Sequence, residues 1–402
     1  MQTRLMFVSL VVIPTAIAAC ARPATSLPTL TKPAAAAAAS PRPYRPTHQG
    51  GINLPTGLYL RDDDDLFLET AMPVVLRRTY MSGDGHMRRF GMNMSHSGEW
   101  WLSGDSDPSV PWANLMLSDG AQVHFTRISP GHTQADAVLR SEDSPSEFGG
   151  ALMVWTGSIW ELRLRDGGVF GFKDCQGEHD VCSLIERRDA SGHRAEYVRD
   201  DNGRLLRIES DGEAIALQYD AANRITRAFT SNGRGVSYAY DARGRLISAI
   251  ASDGATRLYD YDAADHLIRI REPGRIVENW FDGSGRVIRQ EVRYPESARR
   301  PYVATVRYEV EADSVVQADF DEGDGVERQR FDSDHFLVSD TFNANGSTPM
   351  TFTYNRDPRT HAVTAATMAC TGLAGPITRP VPVTAEDDDM KWQLIRDMCV
   401  WR

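Results

Sequence analysis

The residues able to do chemistry are dispersed along this 402-residue chain. Cys175, His179 and Cys182 are of types that ligate zinc, but no second ligand pair lies near them in sequence. The acid-rich stretch from Asp319 to Glu327 has the composition of a calcium loop. Gly323 falls where a third oxygen ligand is wanted, and a hairpin turn accounts for the stretch equally well. Gly104-Asp105-Ser106 is a weak hydrolase-like triplet, while Asp62 to Asp65 and Asp84-Gly85-His86 have no partner that sequence can fix. There is no HExxH, no Gly-x-Ser-x-Gly and no phosphate loop. No catalytic residue, metal or cofactor is therefore expected. Five of the eight tryptophans (Trp100, Trp101, Trp112, Trp155, Trp160) cluster ahead of the chain's middle. Exposed on a sheet they would stack on sugar rings; buried, they are core.

Composition narrows the classes that remain. The formal charge of −11 lacks the basic footprint of a duplex-binding protein, so no nucleic-acid partner is expected. The N-terminus supplies an address. Arg4 precedes a short apolar run from Leu5 to Ala19, of signal-peptide length and too short to span a bilayer as a helix. Ile17-Ala18-Ala19-Cys20 resembles the bacterial lipobox, which implies lipidation of Cys20 and a membrane anchor. Ala21 stands where an aspartate would favour inner-membrane retention, so the expected location is the cell envelope, at the outer membrane. Residues 21–50 hold six prolines and the run Ala34–Ala39, an extended tether. In an exported chain the four cysteines after Cys20 predict two disulfides. Local pairing, Cys175 with Cys182 and Cys370 with Cys399, is the simplest of three connectivities.

The elements that must carry these residues are set by a repeat. Tyr219-Asp220, Tyr240-Asp241 and Tyr261-Asp262 recur at intervals of 21, and Phe281-Asp282 follows at 20. The fourth position of each turn is Asn223, Gly244, Asp265 or Gly285, residue types that tolerate positive φ. A basic and an aliphatic residue follow. Half a period away stand Asp211-Gly212, Asn232-Gly233 and Asp253-Gly254, hairpin signals of the type I′ turn. Segments such as Ala214–Tyr219 alternate between them as half-buried strands do. The middle is thus an antiparallel meander with two strands per repeat. Its tyrosines are expected to form cross-strand aromatic contacts, and Arg204, Arg224, Arg245 and Arg286 to pair with the turn aspartates.

The pattern Tyr-Asp-x-x-Gly-Arg-Leu at this spacing resembles the YD repeat of the RHS family, known from bacterial polymorphic toxins and related to teneurin shells. The segments Asn53–Leu60 and Pro73–Tyr80 resemble that family's leader, as does Phe90-Gly91, although Asn93 and Met94 replace its expected Gly and Trp. The resemblance implies a spiral shell of repeats, often wrapped around a C-terminal toxin. About 16 to 20 strands at ~4.8 Å span ~75–95 Å, short of the ~140 Å needed to surround a 100-residue cargo. The expected fold is therefore all-β: a curved, open sheet of YD-type hairpins, a β-rich leader domain and a short C-terminal helix. That helix is read from Thr384 as N-cap and from Met390, Leu394, Ile395 and Met398 at helical spacing.

The expected organisation is a signal peptide (1–19), a lipid-anchored tether (20–50), a leader domain (51–183), a YD-repeat sheet (184–359) and a C-terminal tail (360–402). The expected function is a non-catalytic envelope lipoprotein. Its sheet would bind a protein or glycan, as an accessory to an RHS-type secretion system or independently of one. The alternatives are a cargo-less remnant of a toxin shell and a cryptic hydrolase built from leader acids and histidines.

Overall fold

Alternation along the repeats produces strands: in Glu213–Tyr219, Ile215 and Leu217 are buried while Glu213 and Gln218 face solvent. A computed structural model describes residues 47–48, 50–104, 109–141, 147–174, 182–323, 325–344, 349–358, 362–372 and 375–381. All of these lie in one unit, Ala38–Arg402. The described structure is all-β, with one short 3-10 turn at Gln134–Asp136. Cys20, Cys175, Cys399 and the segment read as a C-terminal helix lie outside the described residues.

Twenty-five described strands between Trp101 and Val381 form a single antiparallel sheet, each paired with its chain neighbour. The sheet closes on itself, which corrects the expectation of an open one. Closure comes from Cys182–Arg188, which serves two partners beyond its pairing with Val169–Lys173. Its start pairs with Trp101–Gly104 (Cys182 opposite Leu102, Ser183 opposite Trp101). Its end, Glu186 to Arg188, pairs with Arg194–Arg199 and hands the meander on to the repeats. The ring so formed has eight strands, ~38 Å around at ~4.8 Å per strand. Its own side chains fill it, with Leu115, Phe125, Leu139, Met153, Leu162 and Phe172 fully buried. A ring sized for a cargo needs ~140 Å; one filled by its own residues needs far fewer strands.

The repeats add coiling. At each Tyr-Asp the register slips by one residue, as where Ala239 faces Ser248 but Tyr240 faces Leu246, leaving Ile247 as an extra residue. The same slip recurs at Tyr219, Tyr261, Phe281 and Phe331. A bulge in every repeat raises local twist, and the bulged Ile247 and Ile288 account for two exposed isoleucines.

The leader forms its own three-stranded sheet from Leu60–Leu68, Val74–Met81 and Met94–His96. It packs against the repeat strands Glu213–Tyr219, Ile225–Thr230 and Gly235–Tyr240. Backbone hydrogen bonds seal the contact, from Ile225 N–H to the Arg89 carbonyl and from Val287 N–H to the Gly57 carbonyl. Gly91 makes the closest approach. With φ of 95° it lies where a Cβ would come within 2.4 Å of the Gly244 carbonyl oxygen.

Candidate functional site

The repeated residues have structural duties that the geometry shows in full. Asp241 Oδ1 accepts the backbone N–H groups of Arg243 and Arg245, and Oδ2 takes Arg245 Nε at 2.7 Å. Asp220, Asp262 and Asp282 do the same, with His266 replacing arginine at Asp262. The turn positions Asn223, Gly244, Asp265 and Gly285 all have φ between 66° and 80°. Of the half-period turns, Asp211-Gly212 is type I′ with both φ positive. At Asn232-Gly233 and Asp253-Gly254 only the glycine is left-handed, giving three-residue hairpins in which a type I turn precedes it.

The tyrosines do not stack on one another. Each hydroxyl instead donates to the carbonyl of the aliphatic residue one repeat earlier: Tyr219 to Leu205, Tyr240 to Ile225, Tyr261 to Leu246 and Tyr308 to Val287. The guanidinium of that earlier repeat covers the ring, Arg224 standing 4.6 Å from the Tyr240 centroid and Arg245 5.2 Å from Tyr261. Phe281 has no hydroxyl. Asn279 Nδ2 serves the Leu267 carbonyl in its stead, and His266 stacks on the phenyl ring at 4.5 Å. The copy that ends in Gly203-Arg204-Leu205 begins at Arg199-Asp200, and one further unit has neither tyrosine nor glycine in its slots. Arg199-Asp200 has arginine donating to the Leu184 carbonyl, and Phe331-Asp332 ends in His335 at φ 65°.

The leader acids have partners that only folding supplies. Arg78, 1% exposed, grips Asp65 through Nε (2.5 Å) and Nη2 (3.0 Å), and donates to Tyr259 Oη. Tyr259 passes a hydrogen bond to Asp63, Tyr238 donates to Asp65, and Arg61 joins Asp63 to Glu272. Burial alone would raise the Asp63 carboxyl; the guanidiniums of Arg61, Arg78 and Arg257 outweigh it and hold the group down at about 2. Every charge in this cluster is spent on another, which fits it for locking leader to repeats rather than for reacting.

Elsewhere groups are left over. A cavity of about 880 Å³ opens between leader residues 87–101 and the repeat turns at 200–203 and 222–223. His96, 1% exposed, accepts the Gly98 N–H at Nδ1 (3.1 Å), which places the proton of a neutral ring on Nε2. That Nε2 is 3.5 Å from Glu99 Oε1 and makes no hydrogen bond. Burial, then the charges of Arg199 and Arg89, push the imidazole well below its usual range, so it is neutral. Burial also raises the Glu99 carboxyl to about 7, against the pull of Arg88, Arg89 and Arg199. Glu99 Oε2 and Trp100 Nε1 are buried without hydrogen-bond partners among the described residues. Arg199 stands at the wall, its donors going to the carbonyls of Leu184, Gly203 and Gly98.

Sequence reasoning singled out Trp100 and Trp101 but not His96, Glu99 or Arg199. The available signal was the run His96-Ser97-Gly98-Glu99-Trp100-Trp101, an acid and a histidine within one tight turn of two aromatics. Trp112, Trp155 and Trp160 lie away from the cavity; the last two face each other at 5.5 Å. Cys182 and Cys370 are buried strand residues. Asp319 is held by Arg328 through both oxygens within the hairpin predicted there, and no metal-ligating trio occurs among the described residues.

Fold and site together define a closed antiparallel repeat shell packed on its own leader sheet. A family profile described as Teneurin YD-shell matches residues 176–344, and a domain of unknown function (DUF6531) matches residues 49–125. The chain belongs to the RHS/YD-repeat family. No curated protein matches it. Among solved structures it is similar to the Photorhabdus luminescens Tc holotoxin pore, at 15% identity over 69% of this chain and 16% of that one, with a TM-score of 0.33. A TcdB2–TccC3 crystal structure matches at 12% identity over 82% of this chain and 20% of that one, with a TM-score of 0.35. The chain thus spans a fifth or less of the length of these structures.

Proposed function

We propose that this protein is a non-catalytic, lipid-anchored binding protein of the bacterial envelope. In this reading Cys20 carries the acyl chains and residues 21–50 hold the body off the outer membrane. Disulfides Cys175–Cys182 and Cys370–Cys399 brace the domains bounded at 51–183, 184–359 and 360–402, and a C-terminal helix follows. One observation carries the reading. The leader sheet covers the strands from Glu213 to Tyr240, and the charge cluster around Arg78 fixes it there, so the chain's own residues take the place of a cargo. Among the described residues, a cavity beside Glu99 stays open to a partner. The acylated full chain, solubilised in detergent, is tested by envelope pull-down and on a glycan array. A saturable protein or glycan partner is expected, and Cys20→Ser should leave the detergent phase. Capture of nothing on either platform sinks the binding role, and Cys20→Ser protein that still partitions with detergent sinks the anchor.

The His96–Glu99 pair favours a second reading, a hydrolase with Glu99 as general acid. The geometry gives it little else: His96 Nδ1 is engaged by Gly98, and the nearby Asp200 is paired with Arg204. Turnover of an array ligand that Glu99→Gln abolishes while binding survives would establish it.

A further inference from the structure

We infer that the cavity between leader residues 87–101 and the first repeat turns is an oxyanion site, in which Arg89, Lys173 and Arg199 receive the phosphate or carboxylate of a small ligand. The inference rests on the binding role proposed above and gives that role a ligand class. Arg89, half-buried, and Lys173, exposed, both line the cavity, and the side chain of neither makes a hydrogen bond or an ion pair among the described residues. The guanidinium nitrogens of Arg89 are open to water rather than sealed in the wall. Arg199 donates to the carbonyls of Leu184, Gly203 and Gly98, so its charge meets no carboxylate at ion-pair distance among the described residues. Arg89 stands close enough that the two guanidiniums repel each other. The acids of the wall offset little of this. Asp200 is held by Arg204, and Asp174 accepts Gln134 Nε2 at 3.0 Å. The Glu99 carboxyl, raised by burial to about 7, carries only part of its charge at neutral pH, and Asp201 is exposed. A neutral ligand would cover these cations without neutralising them, and a cation would be repelled. A phosphate or carboxylate matches the planar fork of an arginine through two parallel hydrogen bonds. The volume of about 880 Å³ leaves room for the rest of the molecule and falls within the ~300–1,000 Å³ typical of small-molecule sites. Half-buried Trp101 adds an indole to the wall.

The test is titration of the detergent-solubilised full chain, followed by calorimetry and tryptophan fluorescence. The probes are inorganic phosphate, glucose 6-phosphate and glucuronate, with glucose and calcium chloride as the neutral and cationic controls. At least one anion should saturate: glucose 6-phosphate alone assigns a phosphate, glucuronate alone a carboxylate. Arg89→Ala and Lys173→Ala should each weaken it about tenfold or more. Neither side chain bonds the fold, so circular dichroism melts of both variants should match the parent's. Glu99→Gln, which removes an acid from the wall, should bind at least as tightly. Arg243→Ala, whose side chain pairs with Asp265 away from the cavity, should leave binding unchanged. Raising sodium chloride from about 0.05 to 0.5 M should weaken binding. Saturation by glucose or calcium in place of the anions overturns the proposal. So does anion binding untouched by both cavity variants, or no anion binding up to about 10 mM. A pull-down or array partner retained in full by Arg89→Ala would leave the binding role standing while removing this site from it.

Discussion

Glu99 shows what burial does to one group when folding brings it no cation at hydrogen-bond distance. Desolvation raises its carboxyl from 4.5 to about 7, so the folded protein holds that proton more tightly than the unfolded chain. The sign follows. Stability is unaffected below pH 4.5, falls as pH rises towards 7, and carries the full cost, of order 3 kcal/mol, above it. Glutamine carries no such cost. Glu99→Gln should melt with the parent near pH 4.5 and several degrees above it at pH 8. Melting curves separated by the same interval at both pH values would contradict this. Asp63 is the opposite case: more deeply buried, it is held low by three guanidiniums, and its contribution is lost only as pH falls from its ordinary 3.8 through about 2.

One hydrogen-bond requirement recurs in every repeat. The aliphatic residue after each turn presents a carbonyl that the next repeat must satisfy. Tyrosine, arginine or an asparagine two residues earlier does so according to what the sequence offers. Leaving that carbonyl unpaired costs about 1–3 kcal/mol. Asn279→Ala should therefore lower urea stability by that amount, and adding Phe281→Tyr should restore most of it by returning a hydroxyl to the Leu267 carbonyl. A double variant no better than Asn279→Ala would show that the slots are not equivalent. Since phenylalanine and histidine fill the slots at Phe331 and His335, that repeat was invisible to a search for Tyr-Asp and Gly, whereas the one at Arg199 shows only its end, Gly203-Arg204-Leu205. Their turn geometry is the same as the others'.

For the whole molecule, the leader and the repeats are one folding problem. Arg78, Asp65 and Tyr238 share charges and hydrogen bonds across more than 170 residues of sequence, and Tyr80 bridges the Asp265 carbonyl and the Leu267 N–H. A protease site placed at 105–108 should, after cutting, leave two pieces that elute together in gel filtration. They should separate only in denaturant, because the buried ion cluster and the Tyr80 bridge do not depend on chain continuity. Separation under native conditions would mean that the contact depends on the chain's being intact.

The sequence by itself determined what is local. Strand alternation, the Asp-x-x-Gly turns with positive φ, the pairing of Asp241 with Arg245 and membership of a YD-repeat family all depend on contacts within a few residues, or on a period that copies them. Tertiary structure alone decided closure, the burial of Asp63, Asp65 and Arg78, and the meeting of His96 and Glu99 with the turns of the first repeats. The ring closes ahead of the repeats, through the eight strands from Trp101 to Arg188, and side chains rather than cargo fill it where residue 182 returns to residue 102. The site beside Glu99 exists because the repeat coil sets the leader's last strand against repeat turns a hundred positions away, a distance no spacing rule in the sequence can measure.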